Sequence, residues 1–315
     1  MLTRRQFLQC SAFAALLSVA HGQAGMKAGK TSLAALAHGT TFGVPPETEL
    51  LARLFEATDV RAAPQATARS VKQLPANHIQ PILAVSDDGW WYRIAEGYLP
   101  REAVQPIPSY VRPPKPTALH TGYYEVIAPS ATLRAACTPH AAIHGAYPFG
   151  TVVYVRDWLT DDRGEVWYAF TPTAEGDGTL SWTSALSLQR WLPRPSPLRQ
   201  PAIRLDCAQQ TLSLYEGEQF LGKTAIHAPL LPQDQAVLQP CAPSAYTADL
   251  LPPRPWHMLL HRRRGAPMPL YGANWHNRFG KPNAQRAIEL PVLAARQLYQ
   301  LLSGAAVSEI PVAIA

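Results

Sequence analysis

"IRLDCAQQTLSLYEGEQFLGKTAIHA", Ile203 to Ala228, decides how the last third of the chain folds. Ile203, Leu205, Leu212 and Leu214 alternate with polar residues, the period of a half-buried strand, and Cys207-Ala208-Gln209-Gln210 interrupts the alternation as a turn. Glu216-Gly217-Glu218 supplies a second turn before Phe220 to Ala225, so the stretch reads as a β-meander. Further on, Leu293, Ala294, Leu298 and Leu301 share one face of a helix with Pro291 in its first turn, and Ile310 to Ile314 supply a last strand.

Upstream of the meander the chain is jointed by proline. The 31 prolines among 315 residues are about twice the usual share, which favours turns and short strands over long helices. Gln105 to Leu119 and Leu192 to Ala202 are semi-rigid linkers by composition. Each closes off a segment of alternating apolar and polar residues. The first alternates over Ile79 to Val85 and again over Trp91 to Ile94, around the Asp87-Asp88-Gly89 turn. In the second, Thr151 to Val155 and Val166 to Phe170 flank Asp161-Asp162-Arg163-Gly164.

The N-terminus carries an address. Thr3-Arg4-Arg5-Gln6-Phe7-Leu8 is a twin-arginine pattern, followed by an apolar run to Ala20 and a small-residue site near Gly22-Gln23-Ala24. At about 14 residues the run is shorter than the roughly 20 that a membrane span needs, so no stable span is expected after cleavage. Cys10 opens the apolar run rather than closing it, which argues against lipidation. The formal charge of +6 comes from 28 basic and 22 acidic residues; without Arg4 and Arg5 it is 26 − 22 = +4. That mild excess, with no basic stripe interleaved with aromatics, points away from nucleic acid. Export leaves Cys137, Cys207 in the first hairpin of the meander and Cys241 in a proline-flanked loop, enough for one internal disulfide at most. No cysteine pair has metal-ligand spacing and the ten histidines are scattered, so neither a metal nor a cofactor is expected.

The two upstream segments share an order: Val60-Arg61 or Leu133-Arg134, a β-rich middle, the pairs Trp91-Tyr92 or Trp167-Tyr168, and a closing strand. In that order they resemble bacterial SH3-like domains, which implies small barrels of the kind that contact peptidoglycan. Trp91, Tyr92, Trp167 and Tyr168 then either fill two small cores or form a wall-binding aromatic shelf.

The meander resembles the opening of the L,D-transpeptidase catalytic domain (YkuD type), through Ile203, Leu205, Asp206, Gln210, Leu212, Leu214, Tyr215, Glu216 and Gly217. The same family resemblance returns in "YGANWHNRFGKPNAQRAIEL", Tyr271 to Leu290, where Gly272, Trp275, His276, Asn277, Phe279, Gly280, Pro282, Ile288 and Leu290 fit a Trp-His-Asn version of the family's site. The resemblance covers roughly Pro201 to Ala315 and implies a cysteine nucleophile, a histidine base two residues before it and backbone donors for an oxyanion. The departures fall on those groups. Ala287 stands at the cysteine, Gln285 at the histidine, Ala284 at the serine, Arg286 at the glycine between them, and Tyr271 at the upstream histidine; Glu289 also departs. An alanine methyl cannot attack and a glutamine cannot cycle a proton near neutral pH, so no catalytic residue is expected at this site. Trp275, His276 and Asn277 are expected to line a residual groove, with Tyr271 and Trp275 as an aromatic wall or as core. His261 to Gly265, "HRRRG", is a solvated turn or a contact for stem-peptide carboxylates.

The expected architecture is therefore mainly β: a signal peptide over 1–24, a poorly patterned lead-in over 25–47, SH3-like domains over 48–108 and 120–190, proline-rich linkers over 109–119 and 191–200, and an L,D-transpeptidase-like β-sandwich with one C-terminal helix over 201–315. The twin-arginine pattern implies export, to a periplasmic, wall-associated or extracellular place, and the resemblance with its departures implies a catalytically inactive protein that binds or scaffolds peptidoglycan through its stem peptides. Two alternatives remain at the level of sequence: a divergent transferase or hydrolase with a relocated nucleophile, and a surface adaptor or adhesin that does not touch the wall. Neither the ligand nor the oligomeric state can be read from the residues.

Overall fold

A computed structural model of the protein describes residues 49–118, 120–175, 180–245, 253–263, 265–305 and 307–315. The expected signal peptide and lead-in lie outside the described residues. The chain is mainly β, with strands gathered into four sheets and a single α-helix, Val292–Ser303, among the described residues. No helix among them is long and apolar enough to cross a membrane.

Strands between Leu50 and Pro108 make the first unit. Leu50–Leu54 pairs antiparallel with Ile79–Pro81 on one side and Val104–Pro108 on the other. A five-stranded sheet completes it, in the order Ser70–Leu74, Thr58–Arg61, Gly97–Pro100, Trp91–Ile94, Ala84–Val85. The alternation over Ile79 to Val85 predicts one strand, whereas the chain there forms two, in different sheets. The switch falls after Pro81, which has no N–H to extend a ladder: the next amides, Ile82 and Leu83, donate to Leu50 O and Arg93 O, one in each sheet.

The second unit is a seven-stranded sheet, in the order Ile143–Pro148, Ser130–Arg134, Ser181–Ser184, Val166–Thr171, Val152–Thr160, Gly122–Val126, Leu188–Arg190. Its hairpin at Asp161 to Gly164 closes as its sequence suggests. Gly164 adopts φ +76°, and the Asp161 carboxylate accepts from the Arg163 and Glu165 amides and from the Trp167 indole.

The third unit contains the meander. Pro201–Asp206, Thr211–Glu216 and Gln219–Ala225 form one wing of an eight-stranded sheet, which continues through Ile310–Ile314, Asp234–Ala245, Arg254–Arg262, Met268–Ala273 and Ile288–Pro291. Cys241, which the sequence places in a proline-flanked loop, lies instead inside the 12-residue strand Asp234–Ala245, at a register shift between Pro240 and Ala242. The bulge accommodates Pro240 and Pro243, neither of which can donate to a ladder. The helix buries Leu293, Ala294, Leu298, Leu301 and Leu302 against the sheet, each large apolar side chain stabilising the fold by about 1.5–3 kcal/mol.

The two outer edges of this sheet meet. Past the strand Gln219–Ala225, His227 pairs antiparallel with Glu289, their backbones exchanging hydrogen bonds of 2.9 and 3.0 Å. Opposed residues of such a pair project from the same face, so two side chains far apart in sequence become neighbours.

Candidate functional site

The segment Tyr271 to Leu290 leaves one strand at Ala273, crosses an irregular arm and re-enters the sheet at Ile288. Its first half is a docking element. Asn274 is fully buried and donates to Phe149 O at 3.2 Å and to Thr151 Oγ1 at 2.8 Å, both in the second unit. Its own carbonyl accepts from Arg53 Nη2 of the first unit at 3.3 Å. Asn277, expected to line a groove, is buried and donates to the Tyr92 hydroxyl at 2.9 Å and to Val104 O at 3.1 Å, while Arg101 Nε donates to its side-chain Oδ1 at 3.4 Å. The side chains of Asn274 and Asn277 thus join three units, which no local pattern reveals.

The aromatic shelf fares similarly. Tyr92, Trp167 and Tyr168 are buried, so the core reading holds for them and they are not available as a wall-binding surface; Trp91 is half-buried. Burial raises the Tyr92 and Tyr168 hydroxyl pKa values, as it should for phenols held neutral in a core.

The second half of the segment holds the positions where a thiol site is expected. Ala287 is buried, and its carbonyl accepts from Asn283 Nδ2 at 3.3 Å. Ala284, Gln285 and Arg286 are exposed, and the Gln285 amide closes a turn onto Asn283 Oδ1 at 3.0 Å. Tyr271 is buried, with the Arg254 guanidinium 4.3 Å from its ring centre and the half-buried Trp275 at 5.9 Å between centroids; burial and the nearby Glu289 carboxylate push its hydroxyl pKa up.

Among the described residues, no cysteine lies in this segment. Cys207 is buried and its pKa is raised by burial. Cys241 is an exposed residue whose sulfur donates to Gln239 O at 3.5 Å, and partial desolvation raises its pKa as well. Cys137 is half-buried, and all three described cysteines are unpaired. Both Cys207 and Cys241 therefore sit on the unreactive side of an ordinary thiol.

What the fold assembles instead is His227, His276 and Glu289. One nitrogen of each histidine and one carboxylate oxygen all lie within 4.8 Å of one another. The scattered histidines of the sequence gave no sign of this, because His227 arrives through edge pairing with Glu289 and His276 through the arm. Partners define the protons. The Arg278 amide donates to His276 Nδ1 at 3.1 Å, so His276 carries its proton on Nε2, which meets Glu289 Oε2 at 2.8 Å. Both ring nitrogens of His276 are thereby occupied, and it cannot serve as a general base in this arrangement. The Tyr271 hydroxyl reaches Glu289 Oε1 at 3.4 Å. His227 Nδ1 lies 2.6 Å from Lys281 O, which can only accept, so Nδ1 is the protonated nitrogen and Nε2 keeps a free lone pair. Burial, opposed by that Lys281 bond, lowers the pKa of His227. The two imidazoles meet edge to face with centroids 5.0 Å apart. Chemically, the cluster offers an imidazole lone pair and a buried carboxylate, and it contains no thiol.

No family model matches the chain, and no curated protein matches it. Among solved structures it is similar to an L,D-transpeptidase, LdtMt1, in complex with imipenem, at 12% identity over 48% of this chain and 90% of that one, with a TM-score of 0.31. It is also similar to Ly7917, at 16% identity over 51% of this chain and 72% of the other, with a TM-score of 0.18. At these scores neither likeness bears on fold or chemistry, which rest on the geometry above.

Proposed function

We propose that the protein is an exported, non-catalytic binder or scaffold of peptidoglycan, built on an L,D-transpeptidase-like domain with two SH3-like units docked against it. The observation that carries this reading is the state of the arm: a buried alanine where the family resemblance calls for a thiolate, beside a histidine whose two nitrogens are both engaged. The raised thiol pKa values of Cys207 and Cys241 speak against a relocated nucleophile. Exposed Arg286, with Arg278 and Lys281 sharing the single carboxylate of Glu102, leaves the arm with an excess of positive charge suited to stem-peptide carboxylates.

The test uses the mature full-length chain incubated with isolated sacculi. Co-sedimentation together with an unchanged muropeptide profile is the expected result. Absence of binding removes the wall from the proposal, and new cross-links or cleavage products turn it into an enzyme.

A further inference from the structure

We propose that His227, His276 and Glu289 form a binding site for one divalent transition-metal ion of the zinc class. The three come from separate parts of the chain, with spacings of 276 − 227 = 49 and 289 − 276 = 13 residues, yet their ligand atoms fall within 4.8 Å of one another. Two imidazoles and a carboxylate are a donor set that holds zinc with a fourth position open.

Two further features point to a cation. His227 donates Nδ1–H to the Lys281 carbonyl at 2.6 Å, the arrangement that orients a metal-ligating histidine and leaves Nε2 free for the ion. Glu289 is buried, and its side chain has only neutral partners within hydrogen-bond reach: the His276 imidazole, shown to be neutral by the Arg278 amide on its Nδ1, and the Tyr271 hydroxyl. The nearby Arg254 guanidinium lies over the Tyr271 ring and makes no ion pair with this carboxylate. A buried carboxylate without a cationic partner is costly, and a dication at this point would neutralise it.

Binding has a defined consequence for His276. Its Nε2 and Glu289 Oε2 stand 2.8 Å apart, a little closer than the roughly 3.3 Å between neighbouring ligands on a tetrahedral ion with bonds of about 2.0–2.1 Å. To ligate, Nε2 must lose its proton while the imidazole stays neutral, so the proton moves to Nδ1. There it opposes the Arg278 N–H, and that hydrogen bond must open. The metal-free contacts are therefore a closed state that the ion replaces, and the ring tautomer reports the exchange.

The experiment takes the mature full-length chain, alkylates its thiols, strips it with a chelator and titrates it with zinc chloride. One retained equivalent after desalting is expected, with affinity falling at least roughly tenfold in both His227→Ala and Glu289→Gln and unchanged in His140→Gln, an exposed control. Nitrogen chemical shifts of labelled histidine should show His276 passing from Nε2–H to Nδ1–H as zinc binds. Should Glu289→Gln fail to fold, His227→Ala carries the test, since the only side-chain hydrogen bond it removes is that to Lys281. Failure of the wild type to retain zinc, zinc retention unaltered in His227→Ala, or an unchanged His276 tautomer in the zinc-bound protein each overturns the proposal.

Discussion

The two halves of the segment from Tyr271 to Leu290 behave as different materials. In the first, Asn274 and Asn277 are buried and their amides hold the upstream units in place. In the second, Ala284, Gln285 and Arg286 are exposed and their side chains make no hydrogen bond among the described residues. Residues that fit the family resemblance are concentrated where the fold depends on them. The departures at 284 to 286 stand where the fold is indifferent to the side chain. Positions 284 to 286 can therefore vary while the architecture is kept, because the docking contacts of Asn274 and Asn277 lie in the other half of the arm.

The sharpest way to break that contrast is to truncate one side chain from each half. Asn277→Ala removes two donated hydrogen bonds, to the Tyr92 hydroxyl and to Val104 O, and the buried oxygen that accepts from Arg101 Nε. A destabilisation of about 2–4 kcal/mol is expected, read as a lower denaturant midpoint. Gln285→Ala should stay within about 0.5 kcal/mol, as surface changes usually do. Equal effects from the two would dissolve the distinction.

A second contrast separates the two docking interfaces. The first unit meets the third through Arg53, Arg101 and the paired asparagines, together with ion pairs from Glu102 to Lys281 and Arg278 on the surface. The second unit brings a buried carboxylate: Glu125, 3.1 Å from Arg296 Nη1 of the helix, with its other oxygen lacking a hydrogen-bond partner. Nearby, Gly150 holds φ +81°, and a Cβ there would sit 2.6 Å from Val292 Cγ2, so only glycine permits the approach. Burial raises the Glu125 pKa above the ordinary 4.5, and Arg296 only partly offsets this. A carboxyl with a raised folded pKa binds more protons when folded than when unfolded, so its contribution is full below about 4.5 and is lost as pH rises through the folded value. Arg296→Ala leaves that charge without its partner and should cost about 1–3 kcal/mol at pH 7, the lower end reflecting the arginine's own exposure. Glu125→Gln should act in the opposite direction, raising stability at pH 7 by about 1 kcal/mol and flattening the pH dependence above 4.5. Thermal melts from pH 4 to pH 8 would read both; a more stable Arg296→Ala variant would mean that Glu125 does not depend on this ion pair.

Much of the third unit was legible because its signals are local. The period of two over Ile203 to Leu214, the turn at Gly217 with φ +56° and the apolar face of Leu293, Leu298 and Leu301 each lie within a few residues, and each appears in the fold. What failed was long-range. Nothing near His227 marks it as the neighbour of Glu289, since that meeting depends on two sheet edges closing. Glu289 was noticeable only as a departure from the resemblance, and His276 only as part of a motif. Cys241 was misplaced because prolines on either side imitate a loop, while a bulge lets the strand run through them. Arg53 and Arg101 gave no signal at all: a buried arginine reads like any other until distant partners are brought to it, Asn77, Gln105 and the Asn274 carbonyl for Arg53 and Asn277 for Arg101.

The smallest effect expected is also the one that bears most directly on the proposed absence of thiol chemistry. Ala287→Cys adds one sulfur at a buried position and should change stability little. It should also react poorly with an acylating β-lactam of the kind that labels active members of the resembled family. The bases nearest in the arm do not serve it: Gln285 cannot accept a proton, and His276 is already engaged by Glu289 and the Arg278 amide, which leaves His227 Nε2 as the one free imidazole lone pair of the cluster. At an unperturbed pKa of about 8.5 only a few per cent would be ionised at neutral pH, and burial would lower that share. Adding Gln285→His supplies a base on the exposed turn, and Arg286→Gly with Ala284→Ser gives the backbone room to present oxyanion donors. Intact-mass spectrometry should then show an adduct in the fourfold variant, little in the single one and none at residue 287 in the wild type. A wild-type adduct mapped to Cys207 or Cys241 would show that chemistry had moved rather than vanished. A folded fourfold variant that stays unlabelled would mean that the two halves of the arm are less separable than their contacts suggest, with the docking end holding the other closed.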